Sequence, residues 1–243
     1  MEATDIESLE RATVKGVAPA KVLEIGGWLV PFDDGVIHRA KSAVPLRHDL
    51  NASALNEIEA AYWTEGLSPA FRVAEEPGLQ AVRDALAQRG YAGGMPTLVK
   101  LGDVERLAAL RDKPGEVMAQ PDAAWGQVFL GDGFDPVDGA GRVAQLSRSP
   151  DALYGYALED GRTVAVGCVT FGHGWAGIHG MRTEAGRRGR GLASTVLAAL
   201  GRAIQDRGVA KVFLQVEEDN DARSLYRKAG FVEAWRYRHW TRP

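Results

Sequence analysis

Apolar and polar positions in the second half of the chain alternate in a way that predicts a fixed order of strands and helices. Two β-rich runs flank Glu159-Asp160-Gly161, which is a hairpin signal, and a third run follows. Apolar residues at helical spacing then predict two helices, each ended by a glycine. The predicted elements are strands 154–158, 163–171 and 175–181, helix 192–207, strand 212–216, helix 222–229 and strand 231–240. This order predicts a mixed α/β fold, in which helices flank one mostly antiparallel sheet.

The first half of the chain repeats this order more weakly. Its predicted elements are strands 28–32 and 36–44, helix 55–63, strand 70–74, helix 79–88 and a strand from 91 to 99. The segments 86–91 and 226–231 share a helix end, a glycine and an aromatic residue. We therefore predict a degenerate internal duplication, although helix capping alone also produces such junctions. In the region that connects the halves, residues 104–111 and 140–147 are predicted to be helical and 131–141 to form a loop.

The segment Gly186-Arg187-Arg188-Gly189-Arg190-Gly191 carries the strongest chemical signal, because it runs directly into the predicted helix. Glycine lets the backbone adopt positive φ and approach a ligand closely. The first amides of a helix have no acceptor inside the helix, and the arginines add positive charge. This combination predicts a site for a phosphate or pyrophosphate group.

Other interpretations of this loop are weaker. A P-loop would need a lysine and a hydroxyl after the last glycine, where Leu192 and Ala193 stand. A dinucleotide-binding turn would need a third glycine, where Ser194 stands. A solvent-exposed arginine turn without a ligand stays open as an alternative.

Composition limits the classes of protein that fit. The 243 residues are 45% apolar and 25% charged, which indicates a globular protein. The net charge of −3 means that the protein as a whole has no positive field that would attract nucleic acid, so we predict no nucleic-acid partner. The single cysteine, Cys168, lies in an apolar run and is predicted to be buried. No signal peptide or membrane-spanning run is visible, so we predict a cytoplasmic protein that has no membrane partner. Five histidines without paired spacing predict no metal site.

Arg188, Gly191 and Ala193 fit the Gln/Arg-x-x-Gly-x-Gly/Ala signature of the GCN5-related N-acetyltransferases (GNATs), which this chain therefore resembles. Residues 225–231, Leu-Tyr-Arg-Lys-Ala-Gly-Phe, are similar to the Leu-Tyr-x-x-x-Gly-Phe helix end of that family. The resemblance implies a sheet splayed between its fourth and fifth strands, with acetyl-CoA in the splay and its pyrophosphate on the loop amides. It also implies a degenerate GNAT-like domain at 1–95 and a catalytic acetyltransferase domain at 96–243.

The resemblance also implies roles for individual residues. Tyr226 is the implied general acid for the CoA thiolate, and Glu217, His179 and Glu184 are candidate acceptors of the ammonium proton. A strand amide at or near Met181 is implied to polarise the thioester carbonyl. The implied cofactor-binding residues are Met181, Arg182, Thr183, Arg187, Arg188, Gly189, Arg190, Gly191, Leu192, Ala193, Ser194, Asp219, Asn220 and Tyr226. Asp219, Asn220 and Asp221 are candidates to cap the helix that follows. Asp219 stands where the family often has asparagine; it can still cap, and its hydrogen bond to pantetheine stays open.

These observations predict an acetyl-CoA-dependent N-acetyltransferase that acts on a primary amine of a small molecule or peptide by direct attack. The alternative is an acyl-CoA-binding sensor without turnover, because a sensor needs the loop but does not need Tyr226. Acetylation of protein lysines or N-termini is a third interpretation, which differs only in the acceptor. The sequence identifies neither the acceptor nor whether the chain forms a homodimer.

Overall fold

The computed structural model describes residues 3–242, in which helices cover a nine-stranded sheet and a separate three-stranded sheet. The small sheet contains β1 (Lys21–Ile25), β2 (Trp28–Phe32) and β3 (Val44–Pro45). The strands of the large sheet are β4 (Phe71–Ala74), β5 (Ala92–Gly93), β6 (Thr97–Gly102), β7 (Glu116–Met118), β8 (Ala152–Glu159), β9 (Arg162–Gly172), β10 (Trp175–Thr183), β11 (Lys211–Glu217) and β12 (Val232–Thr241). The helices are α1 (Ala3–Gly16), α2 (Leu55–Thr64), α3 (Gln80–Gln88), α4 (Val104–Ala108), α5 (Ala123–Gln127), α6 (Pro136–Ser147), α7 (Leu192–Asp206) and α8 (Arg223–Lys228). No helix within the described range is long and apolar enough to cross a membrane.

The large sheet has the strand order β4-β12-β6-β11-β10-β9-β8-β7, with β5 beside β12. β10 and β11 pair in parallel, and the other neighbouring strands pair antiparallel. The parallel pairing begins at Trp175 with Lys211 and ends at Ile178 with Leu214, although both strands continue. The two strands therefore separate after Ile178 and open a gap in the middle of the sheet.

A β-bulge lies beside this gap, where β10 changes register against β9. His179 pairs with Cys168 but Arg182 pairs with Val166, so the intervening residues 180–181 oppose one residue of β9. Gly180 has a φ of +62°, and a Cβ placed on it would lie 2.6 Å from a methyl carbon of Leu146. Both the backbone and the available space therefore require glycine, and the bulge takes the 180–181 peptide out of the ladder with β9.

Helices α4 and α7 pack on one face of the large sheet around a core that includes Leu98, Ile178 and Leu200. The opposite face carries α1, and its core joins Trp28 from the small sheet to Phe213 of β11. Residues on both sides of position 95 thus share one core, and β4 and β5 belong to the large sheet. The division at residue 95 and the duplication stay predictions.

The predicted mixed α/β fold with a mostly antiparallel sheet is confirmed, and the elements of the second half differ from prediction by no more than two residues at either end. The strand predicted at 36–44 is wrong. This segment contains a helical turn at His38–Ala40, and β2 pairs with β1 and β3 instead. Helices α1 and α5 and strands β1 and β7 had no predicted counterpart, because their apolar patterns are weak or short.

The loop predicted at 131–141 is wrong from residue 136 onward, because α6 begins inside it. The Asp135 carboxylate accepts hydrogen bonds from the amides of Val137 (2.8 Å) and Asp138 (2.9 Å), with proline at the first helical positions. This is a strong helix start. The glycines that indicated a loop serve packing, since a Cβ on Gly141 would lie 2.8 Å from a methyl carbon of Val36. The glycines give this segment a low helix propensity, but its tertiary contacts stabilise the helix.

Candidate active site

A cavity of about 250 Å³ occupies the gap between β10 and β11. Its walls include residues of β6, β10, β11, β12, α6 and α8 and of the turn after β2. Of the predicted site residues, the cavity brings together His179, Met181, Arg182, Glu217, Asn220 and Tyr226. The residues of the glycine-arginine loop lie outside its wall.

Tyr226 and Glu217 reach this cavity from opposite faces of the sheet. Val216 of β11 belongs to the core beneath α7, which also contains Tyr226. Successive strand side chains alternate between faces, so Gln215 and Glu217 point to the other side. Consistent with this, Gln215 Nε2 donates a hydrogen bond to Thr13 Oγ1 of α1 (3.0 Å). Because β10 and β11 separate here, a hydroxyl from one face and a carboxylate from the other line a single space.

Tyr226 is held by α8 and by the residues that follow it. Its amide donates to the Ala222 carbonyl (3.1 Å), and its ring packs edge-on against Phe231 with a centroid distance of 6.2 Å. Burial raises the pKa of the hydroxyl to about 12, and the charge of Arg182 acts in the opposite direction. The hydroxyl therefore stays protonated at neutral pH and is available as a hydrogen-bond donor.

The predicted anion loop follows Thr183, the last residue of β10, and leads into α7. Gly189 and Gly191 have φ values of +79° and +81°, in the left-handed region that glycine occupies without strain. The amide of Thr195 donates to the Gly191 carbonyl (3.1 Å), which begins the helical ladder. The amides of residues 192–194 precede that ladder and have no acceptor within the helix. The loop thus presents the donors that were predicted for an anion.

The arginines of the loop have different partners. Arg187 forms an ion pair with Glu159, and Arg190 lies 3.3 Å from the same carboxylate. Arg188 instead lies with its guanidinium carbon 5.6 Å from the centre of the Phe134 ring. Glu159 therefore competes with a phosphate for Arg187 and Arg190, whereas Arg188 has no such competitor among the described residues.

Arg111, which the sequence analysis did not identify, covers the start of α7. A Cβ placed on Gly191 would lie 1.9 Å from Arg111 Nη2. The backbone at Arg111 is tied to α7, because Arg202 Nη2 donates to the carbonyls of Arg111 and Asp112 (3.1 Å each). The fold therefore adds a guanidinium to the predicted anion site from a distant part of the chain, and no local motif signals this contact.

Asn220, and not Asp219, closes the turn before α8, which has no side-chain cap in the part of the chain that the structure describes. Asn220 Oδ1 accepts a hydrogen bond from the Ala222 amide (2.9 Å), and Asn220 lines the cavity. Asp219 is exposed and does not line the cavity. The predicted capping role of Asp219 is therefore wrong, because this type of turn needs the side chain two residues before the amide that it accepts from.

His179 lies on the wall nearest α1, with Nε2 3.1 Å from Thr170 Oγ1. The side chain is buried, and burial together with the charge of Arg39 lowers its pKa to about 3. An imidazole with so low a pKa is a weak proton acceptor at neutral pH. The burial and low pKa of His179 make it the weaker candidate for the base, and Glu217 remains the other candidate on the cavity wall.

This buried histidine predicts a loss of stability on acidification. The pKa of His179 is about 3 in the folded protein and 6.5 without the fold, so only the unfolded chain gains the proton between these values. Stability is complete above about pH 6.5 and decreases as the pH falls towards the folded value, by about 2 kcal/mol at about pH 5. Urea unfolding at both pH values measures the difference. His179→Gln should reduce it by that amount, and an unchanged difference would contradict the assignment.

The cavity wall also contains positive charge that the sequence analysis did not identify. Arg39, from the turn after β2, and Arg142, from α6, line the cavity together with Arg182. Their convergence depends on long-range packing of the turn after β2 and of α6 against the large sheet. Within residues 3–242, no group of three or more His, Cys, Asp or Glu side chains could hold a metal ion.

Comparisons with known proteins connect this architecture to one family. The family profile described as "Probable histone acetyltransferase Rv0428c C-terminal" matches residues 3–240. The chain is 26% identical over 243 aligned positions to "Uncharacterized N-acetyltransferase YobR" of Bacillus subtilis (strain 168), across 93% of this chain and 94% of that protein. It is 30% identical over 188 positions to the mycothiol acetyltransferase of Clavibacter sepedonicus, across 71% of this chain and 59% of that protein.

A solved structure shows the same fold. The GCN5-related N-acetyltransferase from Kribbella flavida matches with a TM-score of 0.72 and 19% sequence identity, across 98% of this chain and 95% of the other. The family profile and the named N-acetyltransferase relatives extend the agreement from fold to enzyme class. The chain therefore belongs to the Rv0428c C-terminal family of the GNAT superfamily and is an N-acetyltransferase.

Proposed function

We propose that this chain transfers the acetyl group of acetyl-CoA to a primary amine of a small molecule or peptide, by direct attack of the amine. The observation that carries the proposal is the gap between β10 and β11, which Tyr226 and Glu217 reach from opposite faces of the sheet. The anion loop continues from the diverging end of β10. A thioester held in the gap would therefore have the phosphate site of the loop at one end, with Glu217 on one face of the sheet and Tyr226 on the other.

The donors at the start of α7 fit a diphosphate. Free helix amides, the left-handed Gly191 and the Arg111 guanidinium converge there, and a Cβ at Gly191 would fill the space. Met181, Arg182 and Asn220 continue from this end along the cavity wall and are our candidates for holding the rest of the cofactor. Bound acetyl-CoA would supply a thioester carbonyl that is reactive towards an amine.

The residues of the chain then have separate tasks. Glu217 accepts the proton of the ammonium group, which makes the nitrogen nucleophilic. The peptide that joins Gly180 and Met181 is outside the ladder with β9. Its N–H, which belongs to Met181, is therefore a candidate to polarise the thioester oxygen. The Tyr226 hydroxyl donates to the sulfur as the bond to carbon breaks. Its raised pKa is partly matched by the thiol, because removal from water raises the pKa of a thiol as well.

The structure also supports direct attack rather than an acyl-cysteine intermediate. Cys168 is fully buried in β9, and burial raises the pKa of its thiol to about 12. The thiolate is the nucleophilic form of cysteine, so this side chain is inert at neutral pH. It does not line the cavity.

Gly191→Ala is expected to weaken acetyl-CoA binding by about tenfold or more, because phosphate contacts would be lost. Gly208→Ala is the matched control, since Gly191 and Gly208 lie at opposite ends of α7 with φ values of +81° and +67°. Alanine meets the same backbone cost at both positions. At Gly208 a Cβ meets no described atom within 4 Å, whereas at Gly191 it meets Arg111. Isothermal titration calorimetry compares the two variants, and equal affinities would contradict the phosphate site.

Release of free CoA thiol in the presence of a panel of primary amines tests the transfer itself. We expect thiol release that depends on the amine and on the presence of Glu217, with Glu217→Gln as the variant. Binding of acetyl-CoA without thiol release from any amine would contradict transfer, and would leave the cofactor sensor as the function that fits.

A further inference from the structure

The charge on the cavity wall is unbalanced. Three guanidinium groups line the cavity, those of Arg39, Arg142 and Arg182, and the only carboxylate in the described wall is that of Glu217. Arg142 is paired outside the cavity, because its Nε lies 2.6 Å from the Asp138 carboxylate. The positive charge that remains belongs to Arg39 and Arg182.

Neither of these two groups forms an ion pair among the described residues, although the charge of Arg39 acts on buried Glu10 and that of Asp138 acts on Arg182. Arg182 lies over the rings of Phe134 and Phe129, with its guanidinium carbon 4.9 Å and 5.7 Å from the ring centres. Arg39 has a fully buried Nε without any hydrogen-bond partner. Arg39 is half-buried, and a buried donor without an acceptor is costly, so an unsatisfied Nε in a cavity wall favours an anionic ligand at this position.

Arg39 is also placed by its surroundings. It belongs to the turn that contains His38, whose ring lies 5.3 Å from the ring of His239 in β12. Burial is the main cause that lowers the pKa of His239 well below the usual range and also lowers the pKa of His38, and the charge of Arg39 adds a smaller effect, so both rings are neutral at neutral pH. Arg39 is therefore the fixed positive charge in this part of the wall. The charge of Glu217 also acts on His38, the neighbour of Arg39 in the chain, and both Glu217 and Arg39 line the cavity.

We propose that the acceptor is a small primary amine that also carries an anionic group, with the anion bound by Arg39 and the amine directed to Glu217. This inference rests on the proposed function, because it assigns the acceptor of the same site. The guanidinium fork matches the oxygens of a carboxylate or a phosphonate, while Glu217 matches the ammonium end. A lysine-rich peptide would bring further positive charge into a cavity that already contains unpaired arginines, so it is the opposite of the expected acceptor.

A matched set of three amines tests this proposal. γ-Aminobutyrate, 3-aminopropylphosphonate and 4-aminobutanamide share one primary amine and one spacer, and differ in the group at the far end. We expect kcat/KM for at least one of the two acids to exceed that of the neutral amide by about tenfold or more. This advantage should disappear in Arg39→Gln, decrease in Arg39→Lys, which keeps the charge without the fork, and persist in Arg47→Gln. Arg47 is the control because it is exposed and pairs only with Asp49 among the described residues.

Several results would overturn the proposal: an amide as good as both acids, an advantage retained in Arg39→Gln, or a lysine-rich peptide acetylated faster than all three amines. Thermal unfolding of the Arg39 variants shows whether the fold is intact. Calorimetry with the two acids, in the absence of acetyl-CoA, separates this inference from the proposed function. If no amine is acetylated, acid binding that weakens about tenfold in Arg39→Gln still supports the anion site, and no binding of either acid refutes it.

Discussion

Replacing Tyr226 with phenylalanine is expected to lower kcat by about a hundredfold or more while acetyl-CoA binding stays within about twofold. The substitution removes only the hydroxyl, and the ring keeps its edge-on contact with Phe231. We propose this hydroxyl as the donor to the departing sulfur, so its loss should raise the barrier of the step in which the thiolate leaves. A lower kcat at unchanged cofactor affinity is the sign of an interaction made mainly in the transition state.

The pH dependence adds a second readout to this experiment. Because the pKa of the Tyr226 hydroxyl is about 12, it stays protonated throughout the range in which the enzyme is assayed. The ratio of the wild-type and variant rates should therefore be nearly constant between about pH 7 and pH 9. Tyr156→Phe is the control, since that hydroxyl binds Glu116 on the exposed edge of the sheet, outside the cavity. A Tyr226→Phe enzyme with wild-type kcat at every pH would refute the assignment.

Glu10→Leu is expected to lower the free energy of unfolding by about 3–5 kcal/mol, the largest stability effect that we predict. Glu10 of α1 forms an ion pair with Arg72 of β4, with Oε2 2.5 Å from Nη1 and with both side chains almost completely buried. Burial raises the pKa of Glu10, and the charge and hydrogen bond of Arg72, together with a smaller effect of the Arg39 charge, lower it. The Nε and Nη2 atoms of Arg72 have no hydrogen-bond partner, so loss of Glu10 would leave this guanidinium uncompensated.

Two further variants distinguish an ion-pair effect from a packing effect. The double variant Glu10→Leu/Arg72→Met removes both charges and should recover most of the lost stability, because apolar replacement of a buried pair is often neutral. Asp49→Asn breaks the exposed pair with Arg47 and should change the unfolding midpoint little. Urea unfolding measures all of these variants. A double variant as unstable as Glu10→Leu would show that the charge of Arg72 is not the cause.

This ion pair also connects the first half of the chain to the cavity. Arg72 pairs in register with His239 of β12, and its guanidinium carbon lies 5.2 Å from the centre of the Tyr237 ring. His239 and Tyr237 both line the cavity. The first half of the chain therefore supports the wall at which we propose that the acceptor binds, in addition to supplying Arg39.

The sequence by itself determined the order of elements from residue 152 onward and the position of the anion loop. Both depend on local patterns, since periodic burial reports strand or helix, and Arg188, Gly191 and Ala193 lie within six consecutive positions. The same kind of pattern connected Tyr226 to the helix that places it at the gap. These features need no knowledge of which segments meet.

Only the tertiary structure decided which side chains share the cavity and how strongly each one binds protons. Arg39, Arg111 and Arg142 come from segments without a local motif, and they reach the site because the turn after β2, the loop after α4 and α6 pack back on the sheet. The preference for Glu217 over His179 likewise follows from burial, which lowers the pKa of the histidine to about 3. Periodicity records the conformation of a segment and the face that it buries, whereas charge pairing and desolvation depend on neighbours that are distant along the chain.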